Sequence, residues 1–269
     1  MPSSGSLSTT EPRGGAGPTP RQPSSGQPAD ARPTIVFLHS TRLTSAQWAG
    51  QVAALEDSFH CLAPDLPGHG RAADVPFTID GAAADVAGLI EREAHGGRAI
   101  VVGLSLGGYV AMAVAARWPE RVSGLVLSGA TAEPVGTRAI FFRALASVFG
   151  RVPVRYLDAA NRRFFDRRYA PAIHGPILAD GFFFAGGALA LRSLVGERFK
   201  PRLAAYPGPS LILNVRYDLF FRSTERSFAV VAVNPRRTTI RGATHLANLA
   251  RPEEFTEAIR DFARSIAAS

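Results

Sequence analysis

Short strand-like runs alternate with amphipathic stretches along most of the chain from residue 34 onward. The runs predict strands at 35–38, 59–63, 99–102, 125–127, 211–213 and 237–240, and the longer stretches predict helices at 45–56, 80–94, 109–117 and 252–266. Strands that are buried on both faces and alternate with helices are typical of parallel sheets. The pattern therefore predicts an α/β fold, with a mostly parallel central sheet of about six strands and helices on both faces.

Two segments depart from this alternation. Residues 1–32 are rich in Ser, Gly and Pro and hold almost no large apolar side chains, so a disordered N-terminal tail is expected. Residues 135–205 have helical texture without a strand, which predicts a helical cap inserted into a core of residues 33–134 and 206–269. A chain of 269 residues with 46% hydrophobic content can form one such core.

The net charge of +8 is concentrated in the predicted cap, residues 135–205. This segment holds 12 Arg or Lys against 4 Asp or Glu, and 9 of the 17 Phe residues. One interpretation is an Arg-rich outer face on Phe-filled helices. A second is a positive potential, from Arg162-Arg163 and Arg167-Arg168, that attracts an acidic or amphipathic small-molecule substrate. Contact with an anionic membrane is a third and less favoured interpretation, and no nucleic-acid recognition motif is present.

A Gly-x-Ser-x-Gly pattern at Gly103-Leu104-Ser105-Leu106-Gly107 lies between the third predicted strand and a helix. In that context the serine occupies a sharp, strained turn and presents its hydroxyl at the carboxyl end of the sheet. The amide groups and dipole at the start of the helix favour negative charge that develops there. Ser105 is therefore predicted to be a nucleophile.

A serine nucleophile needs a general base and a group that orients the base. His245 follows the last predicted strand, and Asp218 follows the fifth, so both are expected at the same end of the sheet as Ser105. The predicted catalytic residues are Ser105, Asp218 and His245. This chain order is typical of enzymes whose nucleophilic serine lies in such a strand-to-helix turn. His39, His69 and Asp65 are expected to hold loops at strand ends instead.

Several segments together resemble the α/β-hydrolase family, in the branch of esterases, enol-lactonases, haloperoxidase-like enzymes and carbon–carbon hydrolases. The resemblance covers about residues 34–266 and rests on Asp218 and on the segments His39-Ser40-Thr41, Asp65-Leu66-Pro67-Gly68-His69-Gly70, Gly103-Leu104-Ser105-Leu106-Gly107-Gly108, Trp118-Pro119-Glu120-Arg121-Val122 and Gly242-Ala243-Thr244-His245. It implies an oxyanion hole formed by the backbone N–H groups of Leu106 and Thr41. It implies no cofactor and no metal.

The sequence departs from the family pattern at three places. Ser40 stands where members usually have Gly, and its Cβ is expected to reshape the oxyanion loop. Thr244 stands where Gly often precedes the final histidine. The family's first antiparallel strand pair has no counterpart in residues 1–32, so the strand at 59–63 is expected at a sheet edge, which dimerisation or packing of the tail would cover.

The expected reaction is hydrolysis of a carboxylic ester, lactone or related acyl bond through an acyl-enzyme on Ser105. A carbon–carbon hydrolase or an acyltransferase with the same residues, and a non-catalytic binding module with the same fold, are the alternatives. A single cysteine, Cys61, and the lack of a secretory signal or transmembrane run favour a cytoplasmic protein.

Overall fold

The computed structural model describes residues 32–267 together with Met1, and within these residues one sheet contains six strands. The strands are β1 (Thr34–Leu38), β2 (His60–Leu62), β3 (Ala99–Leu104), β4 (Val122–Ser128), β5 (Ser210–Val215) and β6 (Pro235–Ile240). They lie in the order β2-β1-β3-β4-β5-β6, and every neighbouring pair is parallel. The predicted fold class is confirmed.

The described α-helices fall into two groups. The helices of the alternating pattern are α1 (Ala49–Leu55), α2 (Ile79–Glu93), α3 (Leu106–Arg117), α9 (Leu219–Ala229), α10 (Ala247–Ala250) and α11 (Pro252–Ala267). Between β4 and β5 lie α4 (Arg138–Arg151), α5 (Val154–Arg168), α6 (Pro171–Asp180), α7 (Phe184–Leu194) and α8 (Phe199–Ala204).

The side chains of β1 show why the sheet is covered on both faces. Val36 and Leu38 belong to one hydrophobic core, which also takes in the buried faces of α2 and α3. Ile35 and Phe37 point the opposite way, into a second core with buried residues of α1 and α11. Since neighbouring strand residues face opposite sides, a strand that is apolar throughout can be stable only between two layers of helices.

The inserted helices α4–α8 do not form a fully separate layer. Phe199 of α8 packs against Tyr109 of α3, with ring centroids 4.6 Å apart, and Tyr109 also meets Phe142 of α4 edge to face. The division of the chain at 135–205 therefore stays a prediction.

Strand β2 lies at one edge of the sheet, next to β1, as expected. Its three residues are only half-buried. The predicted tail, residues 1–32, falls outside the described part of the chain except for Met1 and Arg32.

Among the described helices, none is by itself long and apolar enough to cross a membrane. Only α6 and α7 taken together meet that test, and they are bent by 91°.

Close packing where β3 meets α3 predicts that a single methyl group destabilises the fold. A Cβ on Gly103 would lie 2.3 Å from the carbonyl oxygen of Gly107. Gly103→Ala should therefore lower the free energy of unfolding by about 1–3 kcal/mol. At the exposed position 50 in helix α1, a Cβ meets nothing within 4 Å, so Gly50→Ala should raise the free energy of unfolding by up to about 1 kcal/mol. Urea denaturation of the two variants checks both signs, and a Gly103→Ala protein as stable as the wild type would contradict the packing account.

Candidate active site

Ser105 lies in the turn between β3 and α3 with φ 57° and ψ −116°, a region that residues other than glycine rarely occupy. Its backbone N–H donates to the carbonyl oxygen of Ser128, 2.8 Å away. Gly107, at the start of α3, passes so close to β1 that a Cβ would lie 2.0 Å from Leu38 O. The strain at Ser105 is thus maintained by contacts with both neighbouring strands, and the serine side chain stands at the carboxyl end of the sheet.

His245 and Asp218 meet at the same end of the sheet. His245 Nδ1 lies 2.6 Å from Asp218 Oδ2, and the Asp218 side chain is only 11% exposed. A carboxylate can only accept here, so Nδ1 carries the proton and Nε2 keeps its lone pair. The ring of Phe221 stacks on the imidazole, with centroids 5.0 Å apart and planes at 22°. The imidazole is therefore held in the tautomer and orientation of a general base.

The three side chains share one cavity of about 530 Å³. Within the described residues no hydrogen bond joins Ser105 Oγ to His245. Bonds of this kind are often long without a substrate and shorten when one binds. The structure thus brings Ser105, Asp218 and His245 together, and their catalytic roles stay a prediction.

Gly129, directly after β4, helps to position His245, and the sequence did not reveal this role. It has φ +57°, and a Cβ there would lie 2.7 Å from Cε1 and 3.0 Å from Nδ1 of His245. Any other residue at this position would therefore displace the imidazole. The sequence does show a glycine directly after the fourth predicted strand. It cannot show that this glycine lies against His245, because that distance depends on the fold.

Asn214 in β5 was missed as well. Its amide oxygen accepts from the N–H of Gly129 at 3.0 Å, and its amide nitrogen donates to Thr131 Oγ1 and Glu225 Oε2, each at 3.0 Å. Glu225 is buried and pairs with Arg237. This network fixes the turn that makes room for His245. The sequence marks Asn214 only as a polar residue directly after the predicted strand 211–213.

The predicted oxyanion donors lie beside Ser105. Gly107 N–H donates to His39 O at 3.1 Å, which ties the start of α3 to the loop after β1. Over residues 32–267, neither the Thr41 N–H nor the Leu106 N–H donates to another protein group. Both are thus available to an anionic oxygen, and the assignment as an oxyanion hole stays a prediction.

Ser40 fits into this loop with its side chain buried. Its N–H donates to Gln47 Oε1 at 2.8 Å, and its hydroxyl lies 3.4 Å from Leu104 O. The hydroxyl and Cβ therefore pack against the strand that leads to Ser105. The loop keeps its Thr41 N–H unbonded with serine in place of the usual glycine.

His39 and His69 hold the same loop through fixed tautomers. Nε2 of His39 accepts from Leu66 N–H at 2.9 Å, so its Nδ1 carries the proton and donates to Ser40 O at 2.9 Å. Nε2 of His69 likewise accepts from Arg42 N–H at 3.1 Å. Burial and the neighbouring His69 lower the pKa of His39 from 6.5 to about 3, so it stays neutral in the folded protein.

Asp65 holds the loop after β2, as the sequence predicts. Its carboxylate accepts from the N–H groups of Ser45 at 2.8 Å and Arg71 at 3.0 Å. These hydrogen bonds lower the pKa of Asp65 to about 2 despite its partial burial.

The wall of the cavity is mainly apolar. Its large apolar side chains are Phe141, Phe142, Leu145, Phe164, Leu191, Phe220, Phe221 and Leu246. The four arginines of the predicted positive potential occupy different places. Arg162 pairs with Asp158, Arg163 and Arg167 line a neighbouring surface groove, and Arg168 lines both that groove and the cavity. Their role in attracting a substrate stays a prediction. The other cation in the wall is Arg42, from the loop after β1.

The neutral state of His39 predicts a dependence of stability on pH. Its pKa is lowered on folding, so its contribution is fully present above about pH 6.5 and is lost as the pH falls. Between about pH 7 and about pH 5 the wild type should lose about 2 kcal/mol more unfolding free energy than His39→Gln, whose amide oxygen can still accept from Leu66 N–H. Denaturation curves at several pH values measure this difference. A gap between the two proteins that does not change with pH would contradict it.

The chain is similar in sequence and fold to several known proteins. The 3-oxoadipate enol-lactonase 2 of Acinetobacter baylyi is 24% identical over 237 residues, which cover 85% of this chain and 87% of the enzyme. A solved thermophilic esterase from Thermogutta terrifontis, with malate bound, superposes with a TM-score of 0.71 at 26% identity over 87% of this chain and 92% of the esterase. An AB hydrolase superfamily protein of Gibberella zeae is 41% identical over 98 residues, and this match spans only 35% of that protein.

The chain also matches the sequence pattern of a whole family. The pattern described as the alpha/beta hydrolase family covers residues 35–258, a range that includes the Ser105 turn, Asp218 and His245. The chain therefore belongs to the α/β hydrolase family.

Proposed function

We propose that this hydrolase cleaves a carboxylic ester, lactone or related acyl bond through an acyl-enzyme on Ser105. The observation that carries the proposal is the His245–Asp218 hydrogen bond of 2.6 Å in the cavity that Ser105 also lines. Similarity to proteins named as an enol-lactonase and an esterase supports an acyl bond as the target.

The reaction follows from the positions of the three side chains. Ser105 Oγ attacks the acyl carbonyl carbon while His245 Nε2 takes the hydroxyl proton, and Asp218 stabilises the imidazolium. The carbonyl oxygen becomes an anion that the N–H groups of Leu106 and Thr41 can bind. Loss of one such donor typically costs about 10²–10³ in rate.

The second half of the reaction reverses these proton transfers. His245 gives its proton to the leaving oxygen as the carbon–oxygen bond breaks, which leaves the acyl group on Ser105. Water then loses a proton to Nε2 and attacks the ester, and Ser105 recovers its proton when the acid leaves.

Hydrolysis of p-nitrophenyl esters of increasing acyl length tests the proposal. Ser105→Ala should lower kcat by about 10⁴–10⁶-fold, because the nucleophile is removed. It should also abolish labelling by a fluorophosphonate probe. Ser58→Ala, at an exposed serine outside the cavity, is the matched control and should retain both activities.

The outcomes separate the remaining possibilities. Labelling of Ser105 without hydrolysis of any ester would favour an acyltransferase or a carbon–carbon hydrolase. No labelling at all would favour a binding module and would overturn the proposal.

The space at Gly129 gives a second prediction for the same assay. Gly129→Ala should push the His245 ring out of place and lower kcat by about 10–10²-fold, since a shift of about 1 Å can have effects of this size. Gly136→Ala is a matched control, because Gly136 has φ +56° and a Cβ there meets nothing within 4 Å. It should keep kcat within about twofold of the wild type. Equal losses in the two variants would show that backbone strain, and not the His245 contact, is responsible.

A further inference from the structure

Arg42 enters the Ser105 cavity from a constrained backbone. Its φ is +61°, a left-handed conformation that is unfavourable for arginine. Two hydrogen bonds hold it: Arg42 N–H donates to His69 Nε2 at 3.1 Å, and Arg42 O accepts from Phe183 N–H at 2.9 Å. The side chain is therefore directed by the fold towards the cavity that it lines.

The Arg42 guanidinium has only neutral partners. Its Nε donates to Asn161 Oδ1 at 2.8 Å, and its carbon lies 5.7 Å from the centre of the Phe149 ring. Among residues 32–267, no carboxylate forms an ion pair with it, whereas Arg202 pairs with both Asp80 and Glu197. Burial lowers the pKa of Arg42 to about 10, which leaves it charged at neutral pH. A half-buried cation without a counter-ion is unfavourable unless a ligand supplies the negative charge.

Tyr169 lines the same cavity and has an unused donor. The residue is 6% exposed, and its hydroxyl has no hydrogen bond of normal geometry within the described chain, although the Thr244 side chain lies beside it. Burial raises the pKa of Tyr169, so the hydroxyl remains a donor. The Arg42 guanidinium and the Tyr169 hydroxyl belong to residues that line one cavity. A buried hydroxyl without a partner is costly, and a ligand acceptor would remove that cost.

These two groups select for a particular chemistry. A guanidinium and a hydroxyl in one cavity can both donate to the two oxygens of a carboxylate. A phosphate would bring a third oxygen and a second charge into a wall that is mainly apolar.

We propose that Arg42 and Tyr169 form a carboxylate subsite beside Ser105, and that the preferred substrate is an ester or lactone that carries a second, free carboxylate. This inference rests on the proposed hydrolysis at Ser105. Arg42 directly follows Thr41, so a carboxylate bound by Arg42 lies against the loop that presents the Thr41 N–H. The two residues determine specificity and take no part in bond breaking.

Paired substrates test the subsite. p-Nitrophenyl hemiglutarate and p-nitrophenyl pentanoate have acyl chains of equal length and differ in a terminal carboxylate against a methyl group. A second pair, 3-carboxyphenyl pentanoate and phenyl pentanoate, places the carboxylate on the leaving group. The measured quantity is kcat/KM for each ester in the wild type and in the variants.

Arg42→Gln should lower kcat/KM for the anionic member of at least one pair by about tenfold or more and change the neutral member by less than about twofold. Tyr169→Phe should have the same selectivity with a smaller effect, and Arg42→Lys should retain part of the preference. Arg163→Gln removes one positive charge outside the cavity and is the matched control. Equal losses on anionic and neutral esters, or the same selective loss in Arg163→Gln, would overturn the subsite.

A binding measurement keeps the subsite separate from the reaction. Titration calorimetry of the wild type with pentanoate and with its neutral analogue pentanamide should show tighter binding of pentanoate, and Arg42→Gln should remove the difference. This result would support the subsite even if no ester were hydrolysed, in which case only the proposed reaction would fail. Equal binding of the two probes to the wild type would count against the subsite, whatever the esters show.

Discussion

The rest of the site depends on the close crossing of β1, β3 and the start of α3. Gly107 lies so near Leu38 that there is no space for a side chain, and its N–H donates to His39 O. This contact forces the chain to turn sharply at Ser105, and the same contact draws the loop after β1 beside that turn. The strained serine and the unbonded Thr41 N–H are thus two results of one packing constraint.

The parallel sheet brings the remaining groups to the same place. The carboxyl ends of all the parallel strands lie on one side of the molecule. The loops after β5 and β6 therefore bring Asp218 and His245 to the same side as Ser105. Their final positions depend on residues without any chemistry of their own: Gly129 leaves space for the imidazole, Phe221 stacks on it, and Asn214 holds the turn. Such supporting contacts make the difference between residues that are merely close and residues with a productive geometry.

The charge of the inserted helices has less direct access to the cavity than its composition suggests. Several of its arginines are paired with carboxylates or face the surface, and aromatic side chains of α4, α5 and α9 form much of the apolar wall. The half-buried cation in the cavity wall is Arg42, which comes from the loop after β1 and donates its N–H to His69. A basic composition therefore does not by itself indicate where an anion binds, because ion pairs and burial decide which charges are available.

The sequence by itself determined the parallel α/β architecture and the positions of Ser105, Asp218 and His245, because strand periodicity and strand-end motifs are local features. It was less accurate on strand lengths: β4 extends over seven residues where three were predicted, since Ser123 and Gly124 interrupt the apolar run. Only the tertiary structure revealed the clearance at Gly129, the Asn214 network and the presence of Arg42 and Tyr169 in one cavity. Each of these depends on distances between residues far apart in the chain, and local patterns carry no information about such distances.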